Sequence, residues 1–527
     1  MSIYTDEVQA KQKKTHKISG IILAAISGFS LAFYCYLMLT ISFLPLRYVI
    51  ISAAVLAGLT GFSVFLLLKK ETNSKKLSFF LRAVFSCLLS LCMIVVPLGV
   101  KSMDKALDTL FELPENGESD MIFVALSSDT ITKPEQLFDV AIAVQASDDL
   151  ANQAYAIDFI QKEYNKELSF TEYEDIIGAI DDLLAGQCRV VLLNQSYFDV
   201  IKDNDLYKNL SEDTKVIYKV EILYDLEEVF NNARVTEEPF NILVSGADNY
   251  GAIKTIYRSD VNMLVSVNPK TKQILITSLP RDTYVKVPCW NGAYDKLTHA
   301  SAAGWRSPKG VACSMATIED FLDVKIDFYV LINFSSVVEI VDTLGGITID
   351  NPYPFTFSYK PYTHFPQGVI DLNGEETLLF VRERKSAKKG DMGRNEHQIV
   401  VLRAMLKKML QPSMLSKANQ LFVTLADSYQ TNFSSEQISA LIKMQLSDLA
   451  AWDLHNQSLQ GQTARKLSAL LTKYQTFSMT IIFPNQLKVA KANIKALLSG
   501  EILQDVKLPE GIKQDIKSDT PKKKETK

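Results

Sequence analysis

The 527-residue sequence predicts an α/β protein carried on N-terminal membrane-spanning helices. Three observations lead there. Long uncharged stretches fill the first hundred residues, apolar β-branched runs of strand length recur after residue 120, and helical patterns lie between those runs. Ile18–Leu46 carries no charge for 29 positions, Tyr48–Leu68 for 21 and Ala83–Val100 for 18, the last preceded by Leu77–Leu81 and a single Arg82. About 20 apolar residues cross a bilayer, so 18–100 reads as three spans, with Pro45 and Arg47 making the turn between the first two. A cleaved signal peptide would explain one short apolar stretch but not three.

Lysine sets the orientation. Lys11, Lys13, Lys14 and Lys17 precede the first span, and Lys69, Lys70, Lys75 and Lys76 join the second to the third. The positive-inside bias places both groups in the cytoplasm. Everything after Val100 then lies outside, giving a multi-pass cell-membrane protein with extracellular C-terminal domains. The N-terminal segment 1–17 is cytoplasmic, and 101–119 is a juxtamembrane linker.

Residues 120–237 read as a small α/β accessory domain. Met121–Leu126 and Val190–Leu193 are strand-like, whereas Glu135–Val144, Asp149–Tyr164 and Tyr173–Ala185 are helix-like. The segment is acidic, with no clustered arginine and no glycine-rich loop. A larger α/β domain follows over 238–502. Phe240–Ser245, Val261–Val267 and Gln273–Ser278 are strands, and the turn 268–272 makes the last two a hairpin. Ala316–Leu322 and Ser335–Leu344 are helical, the latter stopped by Gly345-Gly346. Ile347–Ile349 is a short strand and Gln398–Met409 an amphipathic helix. Ser435–Gln445 and Val489–Leu498 are helical, and Met479–Phe483 is a strand. The lysine-rich 503–527 reads as a disordered tail.

Composition narrows the function. A net charge of −4 and a pI near 5.9 give no global reason to expect nucleic acid as a partner. No Cys/His spacing fits a zinc site, and no Ser/His or Cys/His nucleophile set is apparent. His299, His364, His397 and His455 look scattered. Cys35, Cys87 and Cys92 lie in the spans as small apolar side chains. Cys289 and Cys313 bracket a loop of 23 residues, and an oxidising exterior would let them pair.

Arginine carries the sharper signal. The chain has 12 arginines among 56 basic residues, and five of them fall in four short motifs. These are Arg258-Ser259-Asp260, Pro280-Arg281-Asp282, Arg382-Glu383-Arg384 and Asp391-Met392-Gly393-Arg394. A guanidinium fork matches phosphate oxygens in a bidentate way that a lysine point charge cannot. Asp248 and Asp260 sit at strand edges, where α/β folds place ligand contacts, and are oxygen donors of the kind a hard metal takes. Arg382 and Arg384, two apart, would share one face of an extended segment. Each motif has a plainer reading. A lone Arg-x-Arg is usually a solvated strand face, and Pro280-Arg281-Asp282 could be a turn with Asp282 pairing Arg281. Their occurrence together in one domain favours a pyrophosphate and metal site.

The order Asn-Ile-Leu-x-x-Gly-x-Asp, Arg-Ser-Asp, Leu-Val-Ser-Val-Asn-Pro, Pro-Arg-Asp-Thr-Tyr-Val, Lys-Leu-Thr-His-Ala, Val-Asp-x-Leu-Gly-Gly-Ile, Leu-Asn-Gly-Glu-Glu-Thr-Leu-Leu-Phe-Val-Arg-x-Arg and Asp-x-Gly-Arg-x-x-x-Gln resembles the LytR–CpsA–Psr (LCP) family. The match is densest over 240–405. Three spans followed by an extra external domain resemble its capsule-associated CpsA branch. The resemblance implies an LCP-type α-β-α domain with a central mixed sheet, and a phosphotransferase on the outer face of a Gram-positive membrane. Such an enzyme moves capsular polysaccharide or a similar glycopolymer from an undecaprenyl-pyrophosphate carrier to peptidoglycan. By motif, Asp248 and Asp260 would hold Mg²⁺ or Mn²⁺. Arg258, Arg281, Arg382, Arg384 and Arg394 would clamp the pyrophosphate with Lys296 and Gln398, and apolar elements would bury the polyprenyl chain.

Asp282 and Asp391 are candidate bases, so the catalytic set expected is Arg258, Arg281, Asp282, Arg384, Asp391 and Arg394. Two positions depart from the family pattern. His397 stands where many members have arginine, making one cation absent or pH-dependent, and Thr377 stands where many have alanine. Two other readings compete: a polyprenyl-pyrophosphate phosphatase using the same site, and a membrane regulator of capsule synthesis. Capsule-assembly proteins are expected as further partners.

Overall fold

A computed structural model describes residues 2–69, 76–110, 116–146, 149–202, 206–225, 233–247, 259–302, 310–385, 391–411, 413–414 and 429–520. Two compact units emerge. The first contains residues 1–112 together with 415–423 and 434–450; the second contains the rest. The larger domain expected over 238–502 is therefore interrupted, because Ser435–Asp448 belongs with the N-terminal helices.

Three N-terminal helices join the helix Ser435–Asp448 in the first unit: α1 (Ser2–Leu39), α2 (Leu46–Leu68) and α3 (Lys76–Leu110). Each contains a segment long and apolar enough to cross a membrane, Lys14–Leu39, Leu46–Leu68 and Phe79–Ser102. The first span ends seven residues earlier than its uncharged run suggested. Residues 40–45 make the turn, and Arg47 lies inside α2. Polar side chains within the bundle satisfy one another, as apolar surroundings require. Ser27 Oγ lies 2.9 Å from Ser86 Oγ and 3.0 Å from Ser90 Oγ. At the end of the bundle, Asp104 accepts from Ser42 Oγ at 2.6 Å and pairs with Lys101 at 2.6 Å. Ile438 and Ile442 of the late helix pack on its apolar cluster.

The second unit holds two sheets. The accessory sheet runs β3-β2-β4-β1-β5, from β1 (Asn116–Leu126), β2 (Ala141–Gln145), β3 (Ser169–Tyr173), β4 (Val190–Asn194) and β5 (Thr214–Asp225). β2 lies parallel to β3 and β4, while β1 is antiparallel to β4 and β5. Helices α4 (Leu150–Tyr164), α5 (Ile176–Leu184), α6 (Gln195–Lys202) and α7 (Leu210–Asp213) complete it. One helical expectation fails here, and a second, Tyr173–Ala185, holds but starts three residues late. Glu135–Val144 is a short 3-10 turn followed by strand β2, and Tyr173 closes strand β3. Asp175 starts α5 instead, its carboxylate capping the N–H of Gly178 at 2.8 Å.

The second sheet has six strands in the order β16-β11-β6-β7-β8-β17. These are β6 (Phe240–Ala247), β7 (Ser259–Asn268), β8 (Gln273–Leu279), β11 (Phe328–Ile332), β16 (Tyr429–Thr431) and β17 (Asp453–Ser458). β7 is antiparallel to both β6 and β8, whereas β11 and β17 add in parallel to β6 and β8, so the sheet is mixed. All seven residues of β8 are buried, as a central strand covered on both faces should be. The expected hairpin is present, Asn268 pairing with Gln273. Between β8 and β11 come the ribbon β9 (Tyr284–Val287) and β10 (Ala293–Lys296), then α8 (Leu297–Ala302) and α9 (Gly310–Leu322).

Beyond β11 lie α10 (Phe334–Thr343), the ribbon β12 (Ile347–Asn351) and β15 (Gly368–Leu372), the short pair β13 (Phe355–Thr356) and β14 (His364–Phe365), α11 (Gly374–Arg382) and α12 (Asp391–Met409). The hairpin β18 (Gly461–Ser468) and β19 (Thr472–Ile482) leads to the helix Pro484–Ser499. Residues 501–520 have neither helix nor strand, yet they are tied down. Gln514 N–H donates to Gln462 Oε1 at 2.9 Å, and Asp519 pairs with Lys466 at 2.9 Å.

Candidate active site

The site begins where the buried strand β8 ends. Pro280 cannot continue the ladder, and the chain turns through Arg281 and Asp282. That turn is fixed from three sides. Thr283 N–H closes on Pro280 O at 3.1 Å, Thr298 N–H of α8 donates to Arg281 O at 2.9 Å, and Thr480 N–H of β19 donates to Asp282 O at 2.8 Å. Two charged side chains are thereby held on a rigid corner. The plainer reading of this motif, a turn closed by an Arg281–Asp282 pair, holds only in part, since that pair is present but each partner has a closer one. Arg281 donates to Asp260 at 2.9 Å and lies 3.9 Å from Asp282, while Asp282 takes Lys296 Nζ at 2.8 Å.

These groups line one cavity of about 310 Å³, where Arg281, Asp282, Lys296 and Arg384 are joined by Thr298, His299, Arg465 and Thr476. Arg281 is only 8% exposed, a buried cation stabilised by its carboxylate neighbour. Burial alone would raise the Asp282 carboxyl. Lys296 first, then Arg281 and Arg384, outweigh that and hold it below the usual carboxylate range.

The Arg382/Arg384 pair behaves differently from expectation. A capping box between Asn373 and Glu376 starts α11, and the helix runs through Arg382. Arg382 stacks its guanidinium 4.4 Å above the Phe334 ring, away from the residues that line the cavity. The two arginines do not share a face. Between them Glu383 is buried and accepts from Ser358 N at 2.6 Å and Ser358 Oγ at 2.8 Å. That anchor fixes the segment from which Arg384 reaches the cavity.

Arg394 and Gln398 lie one turn apart on α12, with Arg394 buried. His397, on the same stretch, is fully buried among Phe355, Phe380 and Tyr353, at ring distances of 4.6, 4.5 and 5.4 Å. Burial pushes its pKa down to about 4. The position is therefore a neutral aromatic filler at physiological pH, not a pH-dependent cation. Thr377 is likewise a packing residue, fully buried with its hydroxyl on Asn373 O at 2.7 Å.

Asp248 and Arg258 lie outside the described residues, as does the side chain of Asp391. Among the described residues, no group of three or more His, Cys, Asp or Glu is placed to hold a metal ion. Asp260, a hard oxygen donor at the edge of β7, fits the one or two carboxylates that Mg²⁺ takes when substrate phosphates complete its shell. A second, larger cavity of about 1050 Å³ lies among α12, β12, β17 and residues 506–511. It holds none of the predicted site residues, so the smaller cavity is where the chemistry is read.

Two groups escaped the sequence reading. Arg465, held on β18 by Thr476 Oγ1 at 3.1 Å, was detectable as another of the scarce arginines. His299 is no lone histidine: its Nδ1 lies 2.7 Å from Asp295 Oδ1, and the i, i+4 spacing was a usable signal. Cys289 and Cys313 form a disulfide, with Cα atoms 5.9 Å apart.

Residues 199–492 match the LytR_cpsA_psr family. The chain belongs to that family. A polyisoprenyl-teichoic acid–peptidoglycan teichoic acid transferase, TagU, of Bacillus subtilis (strain 168) is 36% identical over 202 residues, 38% of this chain and 62% of the relative. The protein of the same name from Bacillus cereus (strain AH820) is 34% identical over 239 residues, 44% of this chain and 74% of that one. Family membership thus rests on the second unit, while the B. subtilis relative is matched over less than two thirds of its length. Among solved structures, B. subtilis TagV aligns at 28% identity with a TM-score of 0.42, over 50% of this chain and 98% of that one.

Proposed function

We propose that this LCP protein is a phosphotransferase. It attaches capsular polysaccharide, or a similar glycopolymer, from an undecaprenyl-pyrophosphate carrier to peptidoglycan at the outer face of the membrane. The observation that carries this reading is the convergence of Arg281, Lys296 and Arg384 on one cavity with Asp282. Phosphoryl transfer needs charge on nonbridging oxygens neutralised and the leaving group held in line, and little else from the protein. Bidentate arginines and one lysine supply that. Arg281, Lys296 and Arg384 grip the pyrophosphate, Arg258, Arg394 and Gln398 would add to that grip by the family motif, and Arg382 steadies its neighbour by stacking on Phe334. Asp248 and Asp260 are the residues that would hold Mg²⁺ or Mn²⁺, which adds positive charge at the same oxygens. The three apolar helices would tether the chain to the bilayer in which a polyprenyl carrier is embedded.

The acceptor hydroxyl attacks the phosphorus on the glycan side, the P–O bond to the carrier breaks, and polyprenyl phosphate leaves. The relatives' names support a polymer-to-wall transfer; the capsular nature of the polymer rests on the three-span, accessory-domain organisation. The experiment supplies a polyprenyl-pyrophosphate-linked glycan to the solubilised protein with purified wall fragments. A polymer–wall adduct is expected. Release of glycan phosphate and polyprenyl phosphate without adduct would mean a hydrolase.

A further inference from the structure

Direct attack by a sugar hydroxyl leaves a question that the cations do not answer, namely where its proton goes. Asp282 is badly suited to take it. Lys296 occupies its Oδ1 at 2.8 Å, and a carboxylate held below its ordinary range is a weak base. We propose that His299, oriented by Asp295, is the general base. The assignment rests on the transferase reading above and adds a residue to it.

Asp295 lies next to the end of β10 and is completely buried. A buried carboxylate needs its lone pairs filled, and here they are. Oδ1 accepts from Lys296 N at 2.7 Å and faces His299 Nδ1 at 2.7 Å, while Oδ2 accepts from Ser468 Oγ at 2.9 Å and Leu470 N at 2.8 Å. So anchored, Asp295 requires a proton on Nδ1 of the neutral imidazole. The ring's lone pair is then on Nε2, the tautomer a base needs. His299 lines the same cavity as Arg281, Asp282, Lys296 and Arg384. Its helix is bonded through Thr298 N to the carbonyl of Arg281, so the ring and the guanidinium sit on one fixed frame.

In the reaction the acceptor O–H gives its proton to Nε2 as the new O–P bond forms. The bond to the carrier phosphate breaks, and its electron pair leaves with polyprenyl phosphate. Asp295 stays ionised throughout, stabilising the imidazolium as it appears. The proton then passes to solvent or to the departing phosphate, restoring the base. His299 is thereby a catalytic residue and Asp295 a positioning residue.

The test compares full-length wild type, His299→Gln and Asp295→Asn. Affinity for a polyprenyl-pyrophosphate-linked disaccharide in detergent micelles and the rate of adduct formation with peptidoglycan fragments are measured on the same preparations. Both variants are expected to bind the donor as wild type does and to form adduct at least about 100-fold more slowly, the size of a general-base contribution. A rate for His299→Gln within about threefold of wild type overturns the proposal. So does a loss of donor affinity that parallels the loss of rate in both variants, since that is the mark of a structural role. Failure of the transferase reading looks different: wild type itself would release only disaccharide phosphate and polyprenyl phosphate, and the same comparison would then test His299 against water as the nucleophile.

Discussion

The accessory sheet and the six-stranded sheet are built alike and use charge in opposite ways. Both bury their central strands completely, β4 in one and β8 in the other. In the accessory region, basic side chains are paired to acidic ones near the surface. Arg189 makes two bonds to Asp129, at 2.9 and 2.6 Å, and Lys162 and Lys202 pair with Asp158 and Asp199 at 2.6 Å. None of these pairs lines the arginine cavity. In the six-stranded region, four cations from four separate stretches face that cavity against one carboxylate. The same side-chain types give a closed ion pair in one place and an anion-binding concavity in the other. What differs is whether the backbone directs them at each other or at a shared space.

The largest expected effect breaks that comparison directly. Arg384 is exposed and reaches the cavity from an anchored segment, so Arg384→Ala should leave folding unchanged within about 0.5 kcal/mol. Adduct formation should fall by about 100-fold or more, as when one preorganised donor is lost from a developing charge. Wall-attached polymer in cells carrying the variant gives the same readout. Retained attachment would remove the cavity from the mechanism.

How far the sequence foretold this depends on whether the signal was local. The β7–β8 hairpin was legible because a turn and two β-branched runs adjoin one another. The Pro280 turn was legible because proline ends a strand by its own covalent structure. Strand β2 was not: Ala141–Gln145 is a short apolar run with no alternation, and only pairing with β3 and β4 decides it. Arg382 was misplaced because the Asn373–Glu376 capping box, itself a local signal, was passed over. The i, i+4 spacing of Asp295 and His299 was local, but the anchoring of Asp295 needed tertiary information, since its second oxygen is filled from the distant Ser468 and Leu470. At His397 the sequence could not choose between an absent and a pH-dependent cation, because its burial depends on rings from β13 and α11.

The disulfide sharpens the contrast between the regions. Cys289 and Cys313 close a loop that carries β10 and α8, hence Lys296, Asp295 and His299. Among the described residues the accessory sheet has no such staple, its Cys188 being a free thiol. A bridge over a loop of this length contributes about 3 kcal/mol. Cys289→Ser with Cys313→Ser should therefore lower the thermal midpoint by several degrees and weaken donor binding, while the Cys188→Ser variant leaves binding as it was. Equal effects would mean that the bridge has no special relation to the site.

His397 separates the two kinds of histidine in the larger domain. Its folded pKa of about 4 is depressed below the ~6.5 of an unfolded chain. Between those values the unfolded state binds more protons, so stability is full above about pH 6.5 and is lost as pH falls toward 4. The loss should reach ~3 kcal/mol at most, because a shift of one pKa unit corresponds to about 1.4 kcal/mol. His397→Phe should flatten this slope in thermal melts taken at about pH 7 and about pH 5. If the slope persists, another buried group carries it.

The smallest effect belongs to the accessory pair. Arg189 and Lys215 act with burial on Asp129, and the Arg189 hydrogen bonds, the strongest influence, draw its pKa down to about 2. Yet the Arg189 side chain is 47% exposed, so solvent screens the attraction. Arg189→Ala should lower stability by less than about 1 kcal/mol and leave donor affinity and adduct rate at wild-type values. Asp129 keeps Ile131 N–H at 2.8 Å, which limits the disruption. A measurable fall in transfer rate from so screened a pair would show that the accessory region, whose Val200 and Leu206 line the cavity, also governs it.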